Sequence, residues 1–186
     1  MANASTLELA LLGLLRQQPQ SGYDLRKTFA TTALRHFSDS PGSIYPALRR
    51  LEARHWIAVV AQSANDPGDR RRRQSFRLTI AGEAALIERL NLSVTRDDVI
   101  WRMPELMLRF AFMDGNVPRS TALRFLDEFE EALGSYVAGL RADFALRSSA
   151  MPVNTGLLAF QSGIEGMEAQ LDWARRARAR LAENAP

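Results

Sequence analysis

The sequence predicts a mainly α-helical chain with one small β-hairpin, its first half built from short helices and its second from long ones. Three observations carry this. Apolar residues recur at helical spacing through most of the 186 residues. The pattern turns β-prone only at 57–63 and 74–79, on either side of a turn-forming tip. In the second half the apolar spacing settles into alternating intervals of three and four, as in long packed helices.

The elements follow in order. Ser5 with Glu8 three residues on forms a capping box, and Leu7, Leu11, Leu14 and Leu15 follow at helical spacing, so a first helix is expected from about Thr6 to Gln17. The segment 18–22 (QPQSG) breaks it, and Ser21 can cap a second helix carrying Tyr23, Leu25, Phe29 and Ala33. A looser piece around His36 and Phe37 leads to a third helix within 40–56. There Ile44, Leu48 and Leu51 share one face, while Ser43, Tyr45, Arg49, Arg50 and Arg54 fall elsewhere or at the start. Pro46 is expected in the first turn, where its missing N–H has no helical partner. Residues 57–63 and 74–79 then form a hairpin, with Phe76 and Leu78 alternating against Arg77. Its return strand opens on four consecutive arginines, Arg70, Arg71, Arg72 and Arg73. Thr79 caps a fourth helix over 80–90, with Leu86, Ile87 and Leu90 turned to the core.

Three short helices followed by a basic hairpin is the layout of a winged helix-turn-helix, predicted to occupy residues 1–92. Four adjacent like charges repel one another, and a folded module carries them chiefly when its partner is a polyanion. The third helix, with hydroxyls near its start and arginines further along, suits a DNA major groove. Charge is distributed to match: residues 1–90 hold 13 basic and 8 acidic side chains, residues 91–186 hold 11 and 13. All 24 basic residues except Lys27 are arginine, which suits bidentate contact with phosphate or guanine.

Three motifs in order, SGYD at 21–24, GSIYPALRRLE at 42–52 and RQSFRLTIAG at 73–82, closely resemble the PadR-like transcriptional regulators. The second half is similar to the longer type of that family, with an extended helical dimerisation domain of the virulence-activator kind. The resemblance implies a dimeric regulator, mostly repressors in this family, bound to an imperfect palindrome and in some members released by phenolic acids or hydrophobic drugs. It puts Tyr23, Ser43, Tyr45 and Arg49 on positions the family turns to DNA, and Arg71 and Arg73 on its wing positions. Two residues depart from the pattern. His55 stands where a glycine usually follows the recognition helix, which asks for a left-handed histidine. Arg72 replaces a usual wing proline, predicting a more mobile and more basic wing.

Residues 93–186 are expected to form an antiparallel helical dimerisation domain. Residues 99–113 read as an apolar helix with Pro104 in its first turns, ended by the break at 114–118. Leu126, Phe129, Leu133, Tyr136 and Leu140 form one heptad seam, and Phe160, Ile164, Met167 and Leu171 begin another. The segment 148–155 joins the two helices, with Asn154 or Thr155 as cap. A two-helix hairpin cannot bury both seams unaided, so a second subunit is expected across Leu126, Phe129, Leu133, Tyr136, Phe160, Ile164, Met167 and Leu171. Gly163 and Gly166 are expected at a close helix crossing, which would offset their cost to the helix.

Other functions find little support. There is no cysteine, which removes disulfides and thiolate chemistry. His36 and His55 have no ligand partners at metal spacing, and the acidic cluster from Asp127 to Glu131 has the spacing of a solvated helix face. Neither metal nor cofactor is expected, and no enzymatic activity. Trp101, Phe110, Tyr136 and Trp173 could line a pocket for a small hydrophobic or aromatic effector, although packing alone explains them. The N-terminus lacks a basic leader and no apolar run approaches membrane-spanning length, so a cytoplasmic protein with no membrane partner is expected. The competing reading is a winged helix used for protein interaction, or for nucleic-acid binding without sequence preference.

Overall fold

The computed structural model describes residues 5–36, 41–60 and 74–183. It is mostly helical, with one three-stranded antiparallel sheet, and divides into two compact units, Met1–Leu90 and Asn91–Pro186.

The first unit begins with α1 (Thr6–Gln17), opened by the expected capping box: Ser5 Oγ accepts from Glu8 N, and Glu8 accepts from Ser5 N at 3.0 Å. A second box starts α2 (Gly22–Thr31), where Ser21 Oγ accepts from Asp24 N at 3.1 Å. Between these helices lies β1 (Gln20–Ser21), which pairs with β3 (Ser75–Leu78) in the register Gln20 to Phe76. In the sequence this segment reads only as a break, because two residues are too few to show a period. A short 3-10 helix, Ala33–His36, follows α2.

The third helix, α3 (Pro41–Ala53), starts earlier than its pattern suggests. Pro46 is therefore its sixth residue and not in the first turn. The helix gives up an interior N–H there, the one that would point at the Gly42 carbonyl. Its end is a Schellman motif: Trp56 N donates to Leu51 O and His55 N to Glu52 O, each at 2.9 Å. His55 adopts φ 57°, the left-handed conformation expected of it.

β2 (Ile57–Val59) pairs with β3, giving the sheet order β1-β3-β2. β3 is shorter than the β-prone run that predicts it, and residues 61–63 of the first run lie outside the described residues. The unit closes with α4 (Ile80–Leu90), where Thr79 Oγ1 accepts from Gly82 N at 3.1 Å. Gly82 is needed for space: an added Cβ would lie 1.9 Å from the Trp56 carbonyl oxygen. Leu9, Leu12, Leu25, Phe29, Ile44, Leu48, Leu51 and Leu86 make the core.

The second unit opens with α5 (Arg96–Trp101) and α6 (Met103–Ala111). The single helix expected over 99–113 is thus two helices, divided at Arg102. The first starts earlier, on a Thr95–Asp98 capping box. It stops because Pro104 has no N–H to continue the ladder and would clash with the carbonyl four residues back, so it is accommodated near the start of α6. After a turn containing Gly115 at φ 70°, α7 (Arg119–Ala150) and α8 (Thr155–Glu183) pack on each other as a hairpin. Asn154 caps α8, its Oδ1 accepting from Leu157 N at 3.1 Å.

The heptad seams close on one another. Leu126, Phe129, Leu133, Ile164 and Leu171 are buried in the core of this unit, with Val99, Leu106 and Phe125. Within this chain no helix crosses closely at Gly163 or Gly166: an added Cβ at either would meet nothing of the same chain within 4 Å.

Candidate nucleic-acid interface

α3 has two distinct sides. Ile44, Ala47, Leu48 and Leu51 are buried, while Tyr45, Pro46, Arg49, Arg50 and Glu52 are exposed. Their spacing of three and four residues is what lets a single helix fill the core and still present a row of long polar side chains.

Tyr45 is held against α2. Its ring lies where a Cβ on Gly22 would stand, 2.7 Å from Cε1, so glycine at 22 is what lets the two helices approach. Beside it Tyr23 is 55% exposed, with the Arg26 guanidinium 5.4 Å from its ring centroid. Tyr23, Tyr45, Arg49, Glu52, Gln74 and Phe76, with Gly22 and Leu48, line a cleft of about 300 Å³ between α2, α3 and β3. Two tyrosine rings, a guanidinium and an amide around a shallow cleft can offer stacking surface and hydrogen-bond donors together. Ser43 is half-buried near the start of α3.

The arginines of α3 do not share one environment. Arg50 Nε donates to Glu8 Oε1 at 2.7 Å, and Arg54 Nη1 lies 3.3 Å from Glu8 Oε2. The Glu8 carboxylate is only 3% exposed. Arg54 also stacks over Trp56, 5.0 Å from the ring centroid. Arg49 makes no ion pair among the described residues, and neither does Glu52. The sequence pattern groups Arg49 and Arg50 as DNA-facing, yet only Arg49 is unengaged. Nothing local distinguishes them, because the carboxylate that claims Arg50 lies 42 residues earlier in the chain. Arg70, Arg71, Arg72 and Arg73 lie outside the described residues.

In the second unit, the residues expected at a dimer interface divide in two. Leu126, Phe129, Leu133, Ile164 and Leu171 are enclosed within the unit, while Tyr136, Phe160 and Met167 are partly exposed at its edge. The residues expected around an effector also separate. Phe110 and Trp173 meet edge to face at 5.4 Å and join Phe125 and Phe129 in an aromatic stack. Tyr136 lies under the Arg96 guanidinium at 5.6 Å, and Trp101 is 79% exposed. Arg109 is buried over Phe125 and donates to the Leu92 carbonyl.

Ion pairs tie α7 to α8: Arg175 to Glu130 at 2.7 Å, with Arg141 to Glu168 and Arg178 to Asp127. Hydrogen bonding to the partner carboxylate, then its charge, raises each of these guanidinium pKa values above the usual one. Among the described residues no group of His, Asp and Glu is arranged to hold a metal ion, and no helix is long and apolar enough to cross a membrane.

Comparison with known proteins bears on this geometry. Residues 11–88 match the model of the transcriptional regulator PadR-like family. Among solved structures, the chain is similar to Bacillus subtilis PadR in complex with operator DNA, at 20% identity over 95% of this chain and 99% of that one, with a TM-score of 0.43. It is similar to the same regulator in complex with p-coumaric acid, at 22% identity over 99% of each chain, with a TM-score of 0.42. A PadR-like transcriptional regulator from Bacillus cereus aligns at 22% identity over 96% and 99%, with a TM-score of 0.40. Comparison with curated proteins gives no match. The matched segment runs from within α1 to within α4 and includes α2, α3 and β3 of the candidate interface, and over it this chain is similar to the PadR-like family of transcriptional regulators.

Proposed function

We propose that this protein is a homodimeric, sequence-specific repressor of transcription that binds a pseudo-palindromic operator. One observation carries the reading: α3 keeps its apolar face in the core while Tyr45 and Arg49 stand exposed beside Tyr23. A helix of this kind fits the B-DNA major groove, about 12 Å wide, with arginine able to make a bidentate contact to guanine O6 and N7. Ser43 joins this surface at the start of α3, and Arg70, Arg71, Arg72 and Arg73 act along the phosphate backbone as the wing. One such module contacts few base pairs, and two related by a dyad read an inverted repeat.

Residues 1–92 serve as the DNA-binding domain and 93–186 as the dimerisation domain. Because most of the heptad seam is enclosed within the unit, the second copy is met through residues that keep exposed surface. Tyr136, Phe160 and Met167 contribute partly, and Leu146, Met151, Val153 and Leu158 more openly at the hairpin end. A small hydrophobic or aromatic effector beside Phe110 and Trp173 in the second unit would release the operator by favouring a dimer whose two recognition helices are differently spaced. The protein works where the chromosome is, in the cytoplasm.

The test is a panel of single-base variants of an operator duplex, bound by wild type and by the Arg49→Ala and Tyr45→Phe variants of the full chain. Each substitution should erase preference at particular positions. Equal weakening on every duplex would remove the base-reading role. Sedimentation should give a dimer, and Leu158→Glu should shift it toward monomer. An effector is tested by titrating hydrophobic and phenolic compounds; no loss of operator affinity with any of them ends that part of the proposal.

A further inference from the structure

We infer that Glu8 is a positioning residue that withholds Arg50 and Arg54 from DNA, so that α3 reads its operator through Tyr45 and Arg49 and itself adds little sequence-blind affinity. This rests on the DNA-binding reading above and deepens it. The geometry is specific. Both carboxylate oxygens of Glu8 are engaged: Oε1 accepts from Arg50 Nε, while Oε2 accepts from Ser5 N at 3.0 Å and lies 3.3 Å from Arg54 Nη1. The carboxylate is nearly closed to solvent, whereas the Arg50 side chain is half exposed at 51%.

Such an arrangement is asymmetric. The carboxylate is fixed by the capping box that starts α1, so it cannot follow an arginine outward. The arginine, on a long stem, can leave only by abandoning a nearly buried negative charge, which is costly. Arg49, the next residue back along α3, has no such tether among the described residues. A DNA-reading helix with three unengaged arginines would bind any duplex through its phosphates, because that contribution is independent of sequence. Holding two of the three against a carboxylate lowers the background without altering the residues that meet base edges. The Arg54 guanidinium is further restrained by its stacking on Trp56.

The experiment uses the full chain and random-sequence genomic duplex, with affinity measured by fluorescence anisotropy across a salt series. The Glu8→Gln variant keeps the side-chain shape and loses the charge. It should bind the random duplex several-fold more tightly than wild type. Its slope of log K against log salt should steepen by about 0.9 for each arginine that gains a phosphate. In a two-step selection, the spread between its best and its average sequences should narrow. A purely structural role would leave the slope unchanged, and that result would overturn the inference. If Glu8→Gln proves too unstable to assay, Arg50→Ala in the otherwise native chain decides the matter. With Arg50 held by Glu8 it should leave the salt slope as in wild type, whereas a slope shallower by about 0.9 would place Arg50 on a phosphate and overturn the inference. Wild type that binds no duplex at all would remove the DNA-binding reading itself, and this inference with it.

Discussion

Gly82→Ala is a sharp test of the N-terminal packing. The added Cβ would stand 1.9 Å from the Trp56 carbonyl oxygen and 2.8 Å from its carbon, both backbone atoms. Carbon and oxygen approach no closer than about 3.3 Å in ordinary contact, so α4 or the start of β2 must retreat by roughly 1.4 Å. The same carbonyl accepts from Thr79 N at 3.0 Å, and a shift of that size stretches this bond beyond hydrogen-bond range, while the single Thr79 hydroxyl proton has the nearer His55 carbonyl at 2.7 Å. Losing that bond costs about 1 kcal/mol, and the overpacking about 1–3 kcal/mol. Alanine returns up to about 1 kcal/mol through its helix preference. The net loss is about 1–3 kcal/mol, equivalent to roughly 5–20 °C in the melting temperature of a unit this size. Scanning calorimetry of the full chain reads it directly. A melting temperature within a few degrees of wild type would refute the packing argument.

Other predictions rest on single features. His55→Gly removes the strain of a left-handed histidine, about 1–2 kcal/mol, against an entropic cost of about 0.4–1 kcal/mol, so the midpoint of denaturant unfolding should rise modestly with unchanged slope. Gly163→Ala and Gly166→Ala, which add a Cβ to open space within α8, should each stabilise by about 1 kcal/mol; a loss in either would point to a close helix crossing at that site after all. Phe129→Ala removes a fully buried ring packed against Phe125 and Trp173, and should cost about 3–5 kcal/mol with a shift in tryptophan fluorescence. Asn154→Ala takes away the cap of α8 and should lower stability by about 1 kcal/mol in thermal melts.

Features governed by near neighbours in the chain are legible in the amino-acid sequence. The capping boxes at Ser5 and Ser21 and the cap at Thr79 each involve residues three apart, and all three form. The left-handed His55 comes from the resemblance instead, in which it stands where a glycine usually follows the recognition helix. A continuous apolar run, by contrast, hides the division of α5 from α6, since it masks both the Thr95 box and the effect of Pro104. Contacts between distant segments are harder still. The heptad seams are plain as patterns, but a heptad does not say whether its partner is the same chain or another. The fold encloses Leu133 and Leu171 within the unit. In the same way, no local pattern shows that Glu8 claims Arg50 and leaves Arg49 unengaged.

A role in regulation requires that the exposed face of α3 read sequence. The most direct measurement is selection of genomic fragments by the purified chain at about 150 mM salt, near the physiological value. A dimeric operator-reading regulator should recover an inverted repeat, with half-sites about one helical turn apart or a multiple of it. Recovery of fragments without a common sequence, bound with steep salt dependence alone, would contradict it and leave a polyanion binder in place of an operator-reading regulator.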